Sequence, residues 1–204
     1  MADARTYRPS AKRAAAREEK RAAIKAAGWK VFAEIGLDAA TVAEIVAESG
    51  VSTGSFYNYF GTREAVFDEL LAEMVGIVRQ RTQAARAQAD DLRTMLLLSY
   101  KAFLDFVLET EGGREFCARN QPHIRARLYG LESTGGVLSD LKADIARGMP
   151  QATFSDWELS LIASLILANG MEALLQSRAL PDLDTEALSR IMTGLAMDGI
   201  AHRS

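Results

Sequence analysis

The chain has 204 residues, 49% hydrophobic and 25% charged, with a mean hydropathy of -0.03. That balance suits a soluble globular protein with a sizeable core and excludes disorder along the whole length. No run of about 18 consecutive apolar residues occurs, and the opening MADARTYRPSAKRAAAREEKR lacks the apolar centre of a secretory signal, so a cytoplasmic protein that does not enter membranes is expected. The single cysteine, Cys117, excludes an internal disulfide. The net charge of -3 is unevenly spread, because residues 1–30 carry nine Lys or Arg against three acids, a balance of +6 that leaves -9 for the rest. A basic beginning on an acidic body suits a molecule that meets a polyanion with one end.

The pattern predicts helices throughout and almost no strand, giving an all-α fold of about nine helices. An alanine-rich helix is predicted from Ser10 to Ile35, with Ile24, Gly28, Val31, Phe32 and Ile35 on one face and Gly36 as its C-cap. Thr41 and Glu44 have the spacing of a capping box, opening a short helix that ends at Gly50. Ser52 is placed to cap a further short helix reaching Tyr59 or Phe60. A long helix then runs from Arg63 to about Ala87, turning Val66, Leu70, Met74 and Ile77 inward. Further helices are predicted over 91–110, 113–128, 132–148, 155–178 and 184–201, with breaks at Gly112-Gly113, Gly130, Gly148-Met149-Pro150 and Leu180-Pro181-Asp182.

The stretch GVSTG, Gly50 to Gly54, fits the nucleophile elbow of serine hydrolases, but that turn needs a strand before its serine. Here TVAEIVAES precedes Ser52 and is helical by cap and by period. The alternative is a helix-turn-helix, in which Gly50 supplies the turn, Val51 packs on the first helix and Ser52 caps the second. Phe56 and Phe60 are then spaced for a small core. Thr53, Ser55, Tyr57 and Asn58 are left on outer faces, with Tyr59 beside them. Hydroxyl and amide groups can bond base edges or phosphates, and Gly54 permits close approach of the backbone.

The segment TVAEIVAESGVSTGSFYNYFGTREAVFDELL resembles the DNA-binding signature of the TetR family of bacterial transcriptional regulators. Thr-Val-x-x-Ile, Gly-Val-Ser-x-Gly, Phe-Tyr-x-Tyr-Phe and Arg63-Glu64 carry the likeness, which covers about residues 18–72. The resemblance implies a three-helix DNA-binding domain over 18–62, preceded by a basic arm over 1–17 and followed by a helical ligand-binding and dimerisation domain over 63–204. It implies a homodimer that binds double-stranded DNA and answers to a small-molecule effector, without enzymatic activity. Family DNA contacts map onto Thr41, Ser52, Gly54, Ser55, Tyr57, Asn58, Tyr59 and Arg63. Thr53 joins them as an outward residue, although it stands where the family commonly has lysine, and Arg63 stands where lysine is usual.

In the C-terminal part, WELSLIASLILANGMEALL (157–175) is apolar around most of its circumference, and Leu188, Ile191, Met192 and Leu195 follow on the last helix. These two helices are the candidate dimer interface. Candidate ligand-binding residues are Leu97, Tyr100, Phe103 and Leu104 on helix 91–110, with Phe116, Asn120, Ile124 and Arg127 on helix 113–128. REFCARNQPHIRARL adds Arg114, Arg119 and Arg125, and it weakly resembles the branch of the family that senses long-chain fatty acyl-CoA. An acyl chain needs an apolar tunnel and its phosphates need arginines. Cys117 and His123 are too few for a structural zinc, so no metal and no cofactor is expected.

Overall fold

A computed structural model describes residues 11–130, 136–177 and 184–201, and the side chains of 13–128, 136–176 and 184–198. Within them lie eleven helices and no strand, so the all-α expectation holds. They are α1 (Ala11–Glu34), α2 (Gly36–Ala39), α3 (Val42–Ser49), α4 (Thr53–Tyr57), α5 (Arg63–Arg86) and α6 (Leu92–Glu109), then α7 (Gly113–Arg119), α8 (Gln121–Gly130), α9 (Val137–Gly148), α10 (Asp156–Ser177) and α11 (Thr185–Ala201).

Two more helices form than the nine expected, each for a local reason. Gly36 takes the left-handed φ of 81° that ends α1, and the chain turns straight into the four residues of α2. The segment 113–128 breaks at Asn120 because Pro122 has no N–H to continue a helical ladder and crowds the residues before it. The expected break at Leu180-Pro181-Asp182, the start of the 132–148 segment, His202 and residues 1–10 of the basic arm lie outside the described residues.

The chain divides into two compact units, residues 1–70 and 71–204, with the division inside α5 rather than at its start. The first two turns of α5 belong to the first unit because Val66, Phe67 and Leu70 are buried there. A Cβ added at Gly28 would stand 2.7 Å from Val66 Cγ1, so glycine allows α1 to approach α5 closely. Phe32 and Phe67 meet edge to face, with centroids 5.4 Å apart. Ile24, Phe32, Leu37, Ile45 and Phe56 complete a core that is closed to solvent. Ile35, expected on this face, is instead exposed, because α1 has ended at Glu34 and the turn carries the side chain outward.

In the second unit α6 packs against α11, and α10 packs against α6, α7, α9 and α11. Leu71, Leu96, Leu104, Phe116, Ile124, Ile145 and Leu174 are its most deeply buried large side chains. Ile77 was expected to point inward and is exposed, since the buried face of α5 has moved round to Met74 and Leu71. α10 is long and apolar enough, by length and composition, to cross a membrane over Asp156–Gln176, a test that core helices of soluble proteins also pass.

Truncating Phe32 to alanine would empty the centre of the first unit and cost about 3–5 kcal/mol. Urea denaturation of the wild-type and Phe32→Ala chains checks this, with the loss expected in the transition that reports the first unit.

Candidate nucleic-acid interface and ligand cavity

The first candidate site is built on the turn between α3 and α4. Thr41 caps α3 in a reciprocal box, its Oγ1 accepting from Glu44 N at 3.2 Å while Thr41 N donates to the Glu44 carboxylate at 2.7 Å. Thr41 Oγ1 also donates to that carboxylate at 2.8 Å. At the other end Gly50 adopts φ 68° and ψ 7°, the left-handed conformation that only glycine enters without strain, and its N–H bonds Val46 O. Ser52 opens α4 by accepting from Ser55 N at 3.2 Å, and its hydroxyl lies 3.0 Å from Ser55 Oγ. Ser52 is therefore a helix cap on an all-helical frame, without the strand that a nucleophile elbow requires.

α4 fixes what the turn presents. Phe56 and Phe60 are buried with ring centroids 6.2 Å apart, while Thr53, Gly54, Tyr57 and Asn58 are exposed and Ser55 and Tyr59 half-buried. Tyr57 is 57% exposed although it is aromatic, its ring standing edge-on against Phe56. Nothing lies within 4 Å of a Cβ built at Gly54, so packing does not require glycine there. Of the nine expected DNA contacts, eight thus lie on the capped turn, on α4 or at the start of α3.

Arg63 differs from them. Its guanidinium points back into the domain, where Nη1 donates to Ala40 O and, at 3.3 Å, to Asp38 O, and Nε donates to Glu64 at 2.8 Å. The arginine satisfies the free carbonyls at the end of α2. Its hydrogen bond holds the Glu64 carboxyl below its ordinary pKa.

The second candidate site is a cavity of about 130 Å3 inside the second unit. Three of the eight expected ligand residues, Tyr100, Phe103 and Ile124, line it. Leu97, Leu104, Phe116, Asn120 and Arg127 are not among the lining residues. Leu104, Phe116 and Asn120 are core, and Asn120 Nδ2 donates to Phe116 O at 2.8 Å. Arg119 and Arg125 are exposed, and the arginines at the cavity are instead Arg79 and Arg86 of α5. These two were missed, along with Met74, Val75, Val78 and Thr82. Their spacing along α5, an apolar stripe passing into Thr82 and Arg86, was the available signal.

The cavity arginines are clasped to α9. Arg79 donates to both carboxylate oxygens of Asp140, at 2.7 and 3.1 Å, a pairing that raises the guanidinium pKa further. Arg86 pairs with buried Asp144, which Arg147 also contacts. Tyr100 donates to Ile166 O at 3.0 Å, and burial pushes its phenol up to about 12. Burial likewise pushes Cys117 up to about 12, leaving a neutral thiol in the wall. Ser99 lines the cavity, and its Oγ is shut off from solvent without a hydrogen-bond partner. Among the described residues no cluster of three or more His, Cys, Asp or Glu could hold a metal ion.

Residues 24–70 match the family model of bacterial regulatory proteins of the tetR family. The chain is 28% identical over 180 residues to the HTH-type transcriptional regulator PksA of Bacillus subtilis (strain 168), covering 88% of this chain and 78% of that protein. It is 32% identical over 76 residues to the HTH-type transcriptional repressor KstR2 of Rhodococcus jostii (strain RHA1), 35% of this chain and 37% of that one. Its fold is similar to the crystal structure of a transcriptional regulator FadR from Bacillus subtilis in complex with stearoyl-CoA. That likeness has a TM-score of 0.70 at 20% identity, over 87% of this chain and 98% of the other.

Ser52→Ala removes one cap and should cost about 1 kcal/mol of stability. Thermal denaturation followed by circular dichroism checks the loss, and an unchanged transition would show that the hydroxyl is not holding α4.

Proposed function

Because this chain belongs to the TetR family of bacterial regulatory proteins and is a transcriptional regulator rather than an enzyme, we propose that it is a cytoplasmic homodimeric repressor that leaves a palindromic operator when a small effector binds. The observation that carries the DNA-binding part is the exposed edge of α4. Tyr57 and Asn58 are held outward by a helix whose opposite side is buried phenylalanine, beside a glycine that the protein's own packing does not need. Tyr57, Asn58, Thr53 and the backbone at Gly54 are the groups with uncommitted reach toward a major groove. Thr41 and Ser52 meet phosphate chiefly through the helix starts that they cap, with Ser55 in the first turn of α4 beside Ser52.

A single copy of such a turn contacts few base pairs, and a two-fold pair reads a palindrome. The second copy has a surface to occupy. Trp157, Leu161 and Leu165 follow one another at i, i+4 and i+8 along α10, and all three are exposed. Ile191 and Leu195 on α11 are 60% and 70% exposed. The two helices pack together, so these side chains form an apolar face that a soluble monomer would not leave to water. We assign it to the partner copy.

The effector is a small apolar or amphipathic molecule taken into the cavity lined by Tyr100, Phe103 and Ile124. A fatty acyl-CoA is the finer reading, supported by the fold shared with a regulator solved with stearoyl-CoA and by the arginines at the cavity wall. Binding there repels DNA only by favouring one state of the protein over another, a coupling free energy of about 1–3 kcal/mol in such systems. α5 contributes residues to both units and is the element through which that bias passes.

Tyr57→Ala should weaken binding to a selected operator at least tenfold with the thermal transition unchanged, measured by fluorescence anisotropy. Equal affinity would remove Tyr57 from the interface. Replacing both Ile191 and Leu195 by glutamate should convert the dimer to monomer in sedimentation velocity at micromolar concentration, whereas a dimer that persists would place the interface elsewhere.

A further inference from the structure

Helices of the second unit settle their hydroxyls by bonding back to the preceding turn. Thr110 Oγ1 donates to Phe106 O at 2.7 Å, Ser160 Oγ to Asp156 O at 2.8 Å and Ser189 Oγ to Thr185 O at 2.6 Å. Ser99, in the middle of α6, does not follow them. Its Oγ is shut off from solvent and has no hydrogen-bond partner, a condition that a fold ordinarily avoids because the hydroxyl loses its bonds to water and gains none. Thr193 Oγ1 shares that condition, but Thr193 is not among the residues lining the cavity, whereas Ser99 is.

Leu96, Ser99, Tyr100 and Phe103 line the cavity from α6 at i, i+3, i+4 and i+7, so one face of that helix is turned to it. The other polar side chains among the lining residues are engaged elsewhere. Arg79 is held by Asp140, Arg86 by Asp144, Thr82 Oγ1 by Arg79 O and Tyr100 Oη by Ile166 O. Cys117 offers only a neutral thiol, a weak donor. Among the described lining residues, Ser99 is therefore the one strong donor left uncommitted in an apolar surround. A water molecule beside it would find one ready partner where it needs about two to four. A ligand hydroxyl that accepts from Ser99 leaves its own proton unmet, and one that donates leaves the serine's proton unmet. A carbonyl oxygen needs a single donor, and pairing it with Ser99 leaves no proton without an acceptor.

We propose that Ser99 is a specificity-determining residue of the effector site, and that the effector presents to it an uncharged carbonyl, of a ketone, ester or thioester, carried on an apolar body. This rests on the reading above in which the cavity takes the effector. The hydroxyl ties no part of the fold to another, so a ligand atom that completes it accounts for a serine in the cavity-facing stripe of α6. Compounds of equal shape are then sorted by whether they bring an acceptor to that point.

The test compares acetophenone with α-methylstyrene, which has a methylene where acetophenone has its oxygen. Titrating each into the full chain labelled at its methionine methyl groups gives both dissociation constants from the NMR signals of Met74 and Met171, which line the cavity. Ser99→Ala should weaken acetophenone about tenfold and leave α-methylstyrene unchanged, with a thermal transition no lower than in the wild type. Ser99→Cys, which keeps a weaker donor, should bind acetophenone with intermediate affinity. If the alanine variant binds both compounds as the wild type does, the role of Ser99 is overturned and the cavity stands as the effector site. A lowered thermal transition would make the hydroxyl structural and overturn that role as well. If neither compound moves Met74 or Met171 in the wild-type chain, the cavity reading falls and Ser99 falls with it. Decanoyl-CoA, as a third probe, separates the sources of the carbonyl. Weaker binding to Ser99→Ala places its thioester at the hydroxyl, whereas binding indifferent to the substitution overturns the thioester and leaves ketones and esters.

Discussion

α4 has five residues, too few to hold a helix in water on their own, and everything proposed for DNA depends on how its two ends are tied. Ser52 satisfies the first turn, Gly50 sets the angle at which the helix leaves α3, and Phe56 with Phe60 anchors one side in the core. Each constraint removes freedom from a different part of the segment. The cap fixes where α4 begins, the glycine fixes its direction, and the two rings fix its rotation. Tyr57 and Asn58 then have no orientation left but outward. The core in turn depends on the close approach of α1 and α5 at Gly28, because Phe32 and Phe67 meet only when the two helices are that near.

The cavity obeys a different economy of polar groups. Arg79 and Arg86 are held by Asp140 and Asp144, Thr82 Oγ1 donates to Arg79 O, and the Tyr100 hydroxyl is committed to Ile166 O. An apolar effector body can enter without disturbing any of them. A charged head group must compete with an aspartate for its arginine, which separates a pair already in good geometry. On the proposed function, an amphipathic effector would therefore act on the hold of α5 on α9, which offers a physical route from ligand to α5. Ser99, whose hydroxyl has no partner, is the lining group that an incoming acceptor could engage without that competition.

The local signals were legible in the residues. The Thr41–Glu44 box, the left-handed Gly50, the Ser52 cap and the burial of Phe56 and Phe60 follow from rules that act within four residues along the chain, and the structure shows each of them. Ile35 and Ile77 followed helical spacing and still face outward, because a helix face is buried only where a neighbour lies. Spacing along one helix does not reveal the neighbour. The same limit shaped the cavity. Tyr100, Phe103 and Ile124 lie on the helices expected to form it, but most of its wall comes from α5, α9 and α10, whose meeting is a tertiary fact. The arginine-rich segment 114–127 drew attention by composition, whereas the arginines at the cavity are distinguished by Asp140 and Asp144, some sixty residues away in the chain. Arg63 shows the limit in reverse, since its position in the motif suggests a phosphate contact and its hydrogen bonds point to the α2 carbonyls.

The most direct measurement is to incubate the purified protein with fragmented genomic DNA from its source organism, recover the bound pieces and sequence them. A dimeric helix-turn-helix regulator predicts enrichment of an imperfect palindrome whose half-sites lie about one helical turn apart. Recovery of fragments with no shared sequence, or none above background at moderate salt, would contradict it.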